Sequence, residues 1–142
     1  MQTVSEVMTR NVEVIAPEES LQRAAQLMDE LNVGALPVCS GKELLGMITD
    51  RDITVRAVAA GQGPSDTCVS DVMSEHVRWV NEDDSTSTAV HQMSDMQVRR
   101  LPVLNARREL VGIVSLGDLA THDAVHTDDA LREISTPSQP DR

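Results

Sequence analysis

Residues 46–52 read Gly46-Met47-Ile48-Thr49-Asp50-Arg51-Asp52, and a degenerate copy, Gly112-Ile113-Val114-Ser115-Leu116-Gly117-Asp118, returns in the second half of the chain. In each copy a short apolar run of strand character ends on a hydroxyl residue, Thr49 or Ser115, and an aspartate, Asp52 or Asp118, follows three places later as a helical pattern begins. This strand-to-helix junction is where the sequence concentrates its chemistry.

The repetition reaches well beyond the junction. Residues 4–9, VSEVMT, match 69–74, VSDVMS, and Val12–Val38 match Val77–Val103 at the same 65-residue offset without a gap. One residue inserted near Arg107 moves the last match to 66. Self-similarity of this kind implies two repeats related by a pseudo-twofold axis, not an array of many units. The expected organisation is a first repeat over 4–60, a Gly/Pro/Ser-rich linker over 61–68, a second repeat over 69–124 and an acidic tail over 125–142.

Each repeat then reads as a short series of elements. In the first, VSEVM is a helical turn and Val12–Ile15 a short strand stopped by Pro17. Ser20 stands where a helix N-cap belongs, and Leu21, Ala24, Ala25, Met28 and Leu31 share one face of a helix closed by Asn32 and Gly34. Strands over Leu36–Cys39 and Leu44–Thr49 flank a polar turn at Ser40-Gly41-Lys42. A helix from Asp50 to about Ala60 carries apolar residues on two faces, and the second face is expected to meet another copy of the chain.

The second half repeats this order. It has a turn at Val69–Met73, a strand near Arg78–Val80 and a helix from Ser85 with Ala89, Val90, Met93 and Met96 inward. Strands over Leu101–Leu104 and Leu110–Ser115 follow, then a helix from Leu116. A short helix over Thr127–Glu133 and disorder over Ser135–Arg142 complete the expectation.

Composition narrows the function. Among 142 residues the hydrophobic fraction is 40% and the aromatic fraction 1%, a single Trp79, so the core is aliphatic and few rings remain to stack bases. The net charge of −11 argues against a nucleic acid or an anionic membrane as partner. Two cysteines, Cys39 and Cys68, and no signal peptide or long apolar run point to a cytoplasmic protein with reduced thiols, with a single Cys39–Cys68 bridge as the alternative.

With the two VM[T/S] openings, the Leu36-Pro37-Val38 and Leu101-Pro102-Val103 strands and the two Gly-x-x-[Ser/Thr]-x-x-Asp ends in register, the stretch Val4–Ala124 resembles a tandem pair of cystathionine β-synthase (CBS) domains, a Bateman module. GALPVC followed by GMITDRDI is similar to small stand-alone CBS-pair proteins of bacteria. The resemblance implies an α/β fold of two β-α-β-β-α repeats, with three-stranded sheets packed face to face and helices flanking them. It also implies two clefts for adenosyl ligands, with AMP, ADP or ATP expected first and NAD or S-adenosylmethionine as further candidates. Carried over by position, one cleft takes Thr49 and Asp52 with Arg99, Arg100 and Leu101. The other takes Ser115 and Asp118 with Gly34, Ala35 and Leu36, and the strand entries near Val12 and Val77 complete them respectively.

The residue chemistry agrees with that assignment. A carboxylate offers acceptors to both hydroxyls of a ribose, as Asp52 and Asp118 could do. A hydroxyl at a helix start, with free N–H groups beside it, suits phosphate oxygens, and Thr49 and Ser115 stand at such starts. Arg99 and Arg100 supply forks of donors for phosphate where Gly34-Ala35 supplies none, so the Asp52 cleft should favour phosphorylated ligands. A plainer reading stands beside this one. The same spacing makes capping boxes in which hydroxyl and carboxylate bind only their own backbone, and Arg99-Arg100 is also an ordinary solvated pair.

Nothing in the residues argues for catalysis, since no Ser-His-Asp order, carboxylate pair or Gly-rich phosphate loop stands out. His122 and His126 have the i, i+4 spacing of a metal pair but lack further ligands nearby, so no metal is assigned. The expected protein is therefore a non-catalytic regulatory module, a homodimer that signals to an unidentified protein target. The alternatives are a ligand-free interaction module and an enzyme acting on nucleotides.

Overall fold

The structure, a computed structural model, describes residues 2–122. The elements in order are α1 (Val4–Val7), α2 (Leu21–Leu31), β1 (Ala35–Ser40), β2 (Glu43–Thr49), α3 (Asp50–Asp52) running into a π-helix (Ile53–Val58), α4 (Val69–Val72), β3 (Val80–Asn81), α5 (Thr86–Met96), β4 (Arg100–Leu104), β5 (Leu110–Ser115) and α6 (Leu116–His122). The fold is mixed α/β, with two small sheets and flanking helices.

The described residues form two compact units, 13–77 and 2–12 with 78–122. The opening helix of each sequence repeat thus packs in the unit built from the body of the other repeat. In the first of these units β1 and β2 pair antiparallel, Ala35 opposite Thr49 and Val38 opposite Gly46, over a core of Leu21, Ala24, Met28, Leu36, Val38, Ile48, Val69 and Val72. In the other, β3 runs parallel to β4 and β4 antiparallel to β5, with Val4, Val7, Val80, Met93, Leu101, Val103, Val114 and Leu119 in the core.

Each exchanged helix is held by one residue just after it. Ser74 donates to Met47 O at 2.9 Å and accepts from Met47 N at 3.0 Å, and Thr9 makes the same pair with Ile113 at 2.8 and 3.0 Å. These contacts lay a backbone strand against Gly46 and Gly112. A Cβ on Gly46 would run into the Ser74 carbonyl, and one on Gly112 would come within 2.7 Å of Met8 Sδ and Thr9 O. Glycine is required there by close approach, not by an unusual φ.

The helix ends follow the chemistry of their residues. Ser20 Oγ accepts from Arg23 N at 3.1 Å and Ser85 Oγ from Thr88 N at 3.1 Å, while Asn32 closes α2 in the left-handed conformation. The linker supplies further caps, since Leu21 N donates to Thr67 O and Gln22 N to Pro64 O.

Four local expectations change. The strand over Val12–Ile15 shrinks to a single bridge, in which Ile15 pairs with Val38. Asn11, at φ 56°, turns the chain just before it and Pro17 removes the next donor, so only a short extended piece remains. On α2, Leu27 packs on the core, while Ala25 is exposed and Leu31 is 40% exposed. Met96, the last residue of α5, is 41% exposed, whereas Met93 is buried with Leu101, Val103 and Val114. The helix after Asp50 is α-helical for one turn and then widens to a π-helix, where the β-branched run Ile53-Thr54-Val55 would crowd a tighter coil. The possible helix at Thr127–Glu133 and the tail lie outside the described residues.

Candidate functional site

The two strand-to-helix junctions have the same local geometry. At the first, β2 ends at Thr49 and α3 begins at Asp50, with Asp52 at the third helical position. Asp52 Oδ2 accepts from Thr49 N at 3.0 Å and Thr49 Oγ1 accepts from Asp52 N at 3.0 Å. At the second, Asp118 Oδ2 accepts from Ser115 N at 2.9 Å and Ser115 Oγ accepts from Asp118 N at 3.0 Å. Both are reciprocal capping boxes, so the plainer reading of these residues is structurally present.

A capping box does not use up the carboxylate. Only one oxygen of each aspartate is taken by the backbone, and an ionised carboxylate has about four acceptor positions. Asp52 and Asp118 are both half-buried, as are Thr49 and Ser115. The remaining oxygen of Asp52, Oδ1, lies 3.8 Å from Arg56 Nε.

The segment before each LPV strand closes on the junction of its own repeat. Ala35 is paired with Thr49, and Gly34 O accepts from Asp50 N at 3.0 Å. Gly34 also lies tightly against the Asp50 carboxylate, where an added Cβ would sit 3.1 Å from Oδ2. In the second unit Arg100 is paired with Ser115, and Arg99 O accepts from Leu116 N at 2.8 Å. Gly34, Ala35 and Leu36 therefore stand beside Ile48, Thr49 and Asp50, and Arg99, Arg100 and Leu101 beside Val114, Ser115 and Leu116, at the start of each capping box. Arg99 and Arg100 are exposed, whereas Leu36 and Leu101 are core residues. Grouping Asp52 with Arg99–Leu101, and Asp118 with Gly34–Leu36, joins residues of different compact units.

Val12 and Val77 occupy equivalent places, each the last residue before the chain passes from one unit to the other, and both are half-buried. Arg51 N donates to Asp50 Oδ1 at 2.8 Å. His76 and His91 are exposed. Trp79 is covered on one side by the Arg108 guanidinium, 5.9 Å from the ring centroid.

Arg56 was not singled out by sequence, although the opposite charges of Asp52 and Arg56 at i, i+4 are the signal that would have found it. Both cysteines are free; Cys39 is buried, and desolvation pushes its thiol up from 9.0 to about 11. Among the described residues no cluster of three or more His, Cys, Asp or Glu could hold a metal, and the His122/His126 pair lies outside the described side chains. Among the described residues no helix is long and apolar enough to cross a membrane.

Comparison with known proteins agrees with this picture. The sequence model of the CBS domain family matches residues 4–58 and 69–124. The chain is 43% identical over 122 residues to the CBS domain-containing protein YhcV of Bacillus subtilis, covering 86% of each. The crystal structure of Hypoxic Response Protein I with two coordinated zinc ions superposes with a TM-score of 0.79 at 36% identity, over 85% of this chain and 98% of that one. That of CBSX2 in complex with AMP gives a TM-score of 0.75 at 27% identity, over 85% of this chain and 95% of that one. The internal duplication, the paired capping boxes and these matches together establish that the chain belongs to the CBS domain family, as a tandem CBS pair.

Proposed function

We propose that this chain is a non-catalytic regulatory module that binds an adenosyl ligand, with AMP, ADP or ATP preferred, and passes its occupancy to a partner protein. The observation that carries the reading is the duplicated junction. In both repeats a half-buried aspartate stands at a helix start with only one of its two oxygens engaged by the cap. The AMP complex of the similar protein CBSX2 supports an adenosyl ligand. The ligand-binding groups are Thr49 and Asp52 with Arg99, Arg100, Leu101 and Val12, and Ser115 and Asp118 with Gly34, Ala35, Leu36 and Val77. In this scheme the carboxylates read the ribose and the arginines read phosphate. Repeats 4–60 and 69–124 act as a pair, so a ligand touching both shifts them only as far as it binds one arrangement better.

The protein works in the cytoplasm as a homodimer. Val55 and Val58, 44% and 62% exposed on the π-helix, supply an apolar face for self-association. A thermal melt with AMP, ATP, NAD and S-adenosylmethionine tests the reading. A specific ligand at 100 times its Kd adds about 2.7 kcal/mol, worth roughly several degrees in a domain of this size. Asp52→Ala should remove the part of the shift that comes from its own cleft and leave any part that comes from the Asp118 cleft. The second reading, a ligand-free interaction module, is favoured by those exposed valines and gains if no adenosyl compound moves the midpoint. Consumption of ligand during the melt would favour an enzyme.

A further inference from the structure

Arg56 joins three pieces of one unit. Its Nε lies 3.8 Å from Asp52 Oδ1, and its Nη1 donates to Val72 O at 3.2 Å and Met73 O at 3.3 Å. Val72 ends α4 and Met73 is its C-cap, so these are carbonyls left over at a helix end. Asp52 is thereby set between two holds, the Thr49 amide on Oδ2 and the guanidinium near Oδ1. Arg56 is half-exposed, so the pair adds little to stability in water, but the planar fork fixes directions that a flexible ammonium would not. At 3.8 Å the Nε contact is electrostatic and not a hydrogen bond, so Oδ1 keeps its acceptor positions.

The far end of this bridge is the segment that leaves the unit. Immediately after Met73, Ser74 is paired with Met47 on the edge of β2, and the chain crosses to the other unit after Val77. At the 66-residue offset of the final match the counterpart of Arg56 is His122, which has no comparable fork, so the two halves differ in sequence at this point.

We propose that Arg56 is a positioning residue that couples occupancy of the Asp52 pocket to residues 72–77. This rests on the ribose-reading role proposed for Asp52. A ligand hydroxyl donating to Oδ1 draws on the same carboxylate charge that holds the guanidinium, and the guanidinium in turn holds the end of α4. Ligand and segment therefore share one charged group, and the coupling acts equally in both directions.

Site-resolved amide hydrogen exchange on the full chain tests this, using wild type, Arg56→Gln and Arg56→Lys, without ligand and with AMP or ATP. In ligand-free Arg56→Gln, exchange at Thr49, Met73 and Ser74 should rise on the order of threefold or more, while Ser115 and Thr9 in the other unit stay unchanged. Arg56→Lys should restore Thr49 but not Met73 and Ser74, because a point charge steadies Asp52 without spanning the gap. Nucleotide should raise exchange at Met73 and Ser74 in wild type, because it draws charge from the Asp52–Arg56 contact, and should lose that effect in Arg56→Gln. A uniform rise at all these amides marks a merely structural residue and overturns the proposal. So does an unaltered nucleotide effect on Met73 and Ser74 in Arg56→Gln. If neither nucleotide shifts the wild-type melting midpoint, the ribose reading fails and takes the coupling with it, an outcome distinct from a ligand that binds normally without Arg56.

Discussion

Thr49 and Asp52 hold each other's amides, Asp52 Oδ2 on Thr49 N and Thr49 Oγ1 on Asp52 N, each at 3.0 Å. The reciprocity fixes the carboxylate at the strand-to-helix junction before any ligand arrives. A group already immobilised loses little further freedom on binding, so a cap and a ligand contact are complementary uses of one side chain.

This separates two substitutions at one position. Asp52→Ala removes the cap and should lower stability by about 1 kcal/mol, as well as removing the Asp52 cleft's share of any nucleotide-dependent shift in the melting midpoint. Asp52→Asn keeps an acceptor for Thr49 N, so the midpoint should stay near wild type while the preference for adenosine over 2′-deoxyadenosine collapses. Titration calorimetry with both nucleosides reads the difference.

Arg100→Ala should weaken ATP by more than it weakens adenosine, because it removes a phosphate contact and spares the ring and sugar. Equal losses for both ligands in a competition assay would remove Arg100 from the phosphate role.

Gly46→Ala places a methyl group on the Ser74 carbonyl, and Gly112→Ala places one between Met8 and Thr9. Each should cost about 1–3 kcal/mol as overpacking against backbone. Gly41→Ala, at a turn with open space around it and φ 61°, should suffer only backbone strain of about 1 kcal/mol. Urea denaturation of the three variants ranks them.

Cys39 is 3% exposed and burial raises its thiol from 9.0 to about 11. The neutral thiol is the form the fold favours. Its contribution is fully present below pH 9 and is lost as pH climbs toward 11, to the extent of about 2–3 kcal/mol at most. The melting midpoint of wild type should fall across that window more steeply than that of Cys39→Ala. Cys68, half-buried where Cys39 is buried, should react first with a thiol reagent.

Most of the architecture was legible because local signals agreed. Ser20, Ser85 and Asn32 mark helix ends by side-chain chemistry, and the hairpins follow from two apolar runs around short polar turns. Periodicity gave the stripe of α2 but not its width, which depends on what covers it; hence Leu27 inside and Leu31 outside. The π-helix at Ile53–Val58 departs from the common period and leaves no periodic trace. The placement of the opening helices was hidden for another reason. VSEVM and VSDVM are so alike that either suits either sheet, and only the three-dimensional structure distinguishes them. At the junctions the residues follow from spacing, and the i, i+4 charges of Asp52 and Arg56 mark that pair, whereas the contacts of Arg56 with the Val72 and Met73 carbonyls, sixteen and seventeen residues away, leave no trace in sequence.

The exchange of opening turns puts the genetic period and the compact unit out of phase. A fragment cut at 4–60 would keep a turn whose berth is elsewhere and lack the one that seals its own hairpin; a fragment cut at 13–77 would carry both hairpin and seal in one continuous run. Anyone grafting, shuffling or splitting this chain should place the scissors at the crossings after Val12 and Val77, not at the glycine-rich connector.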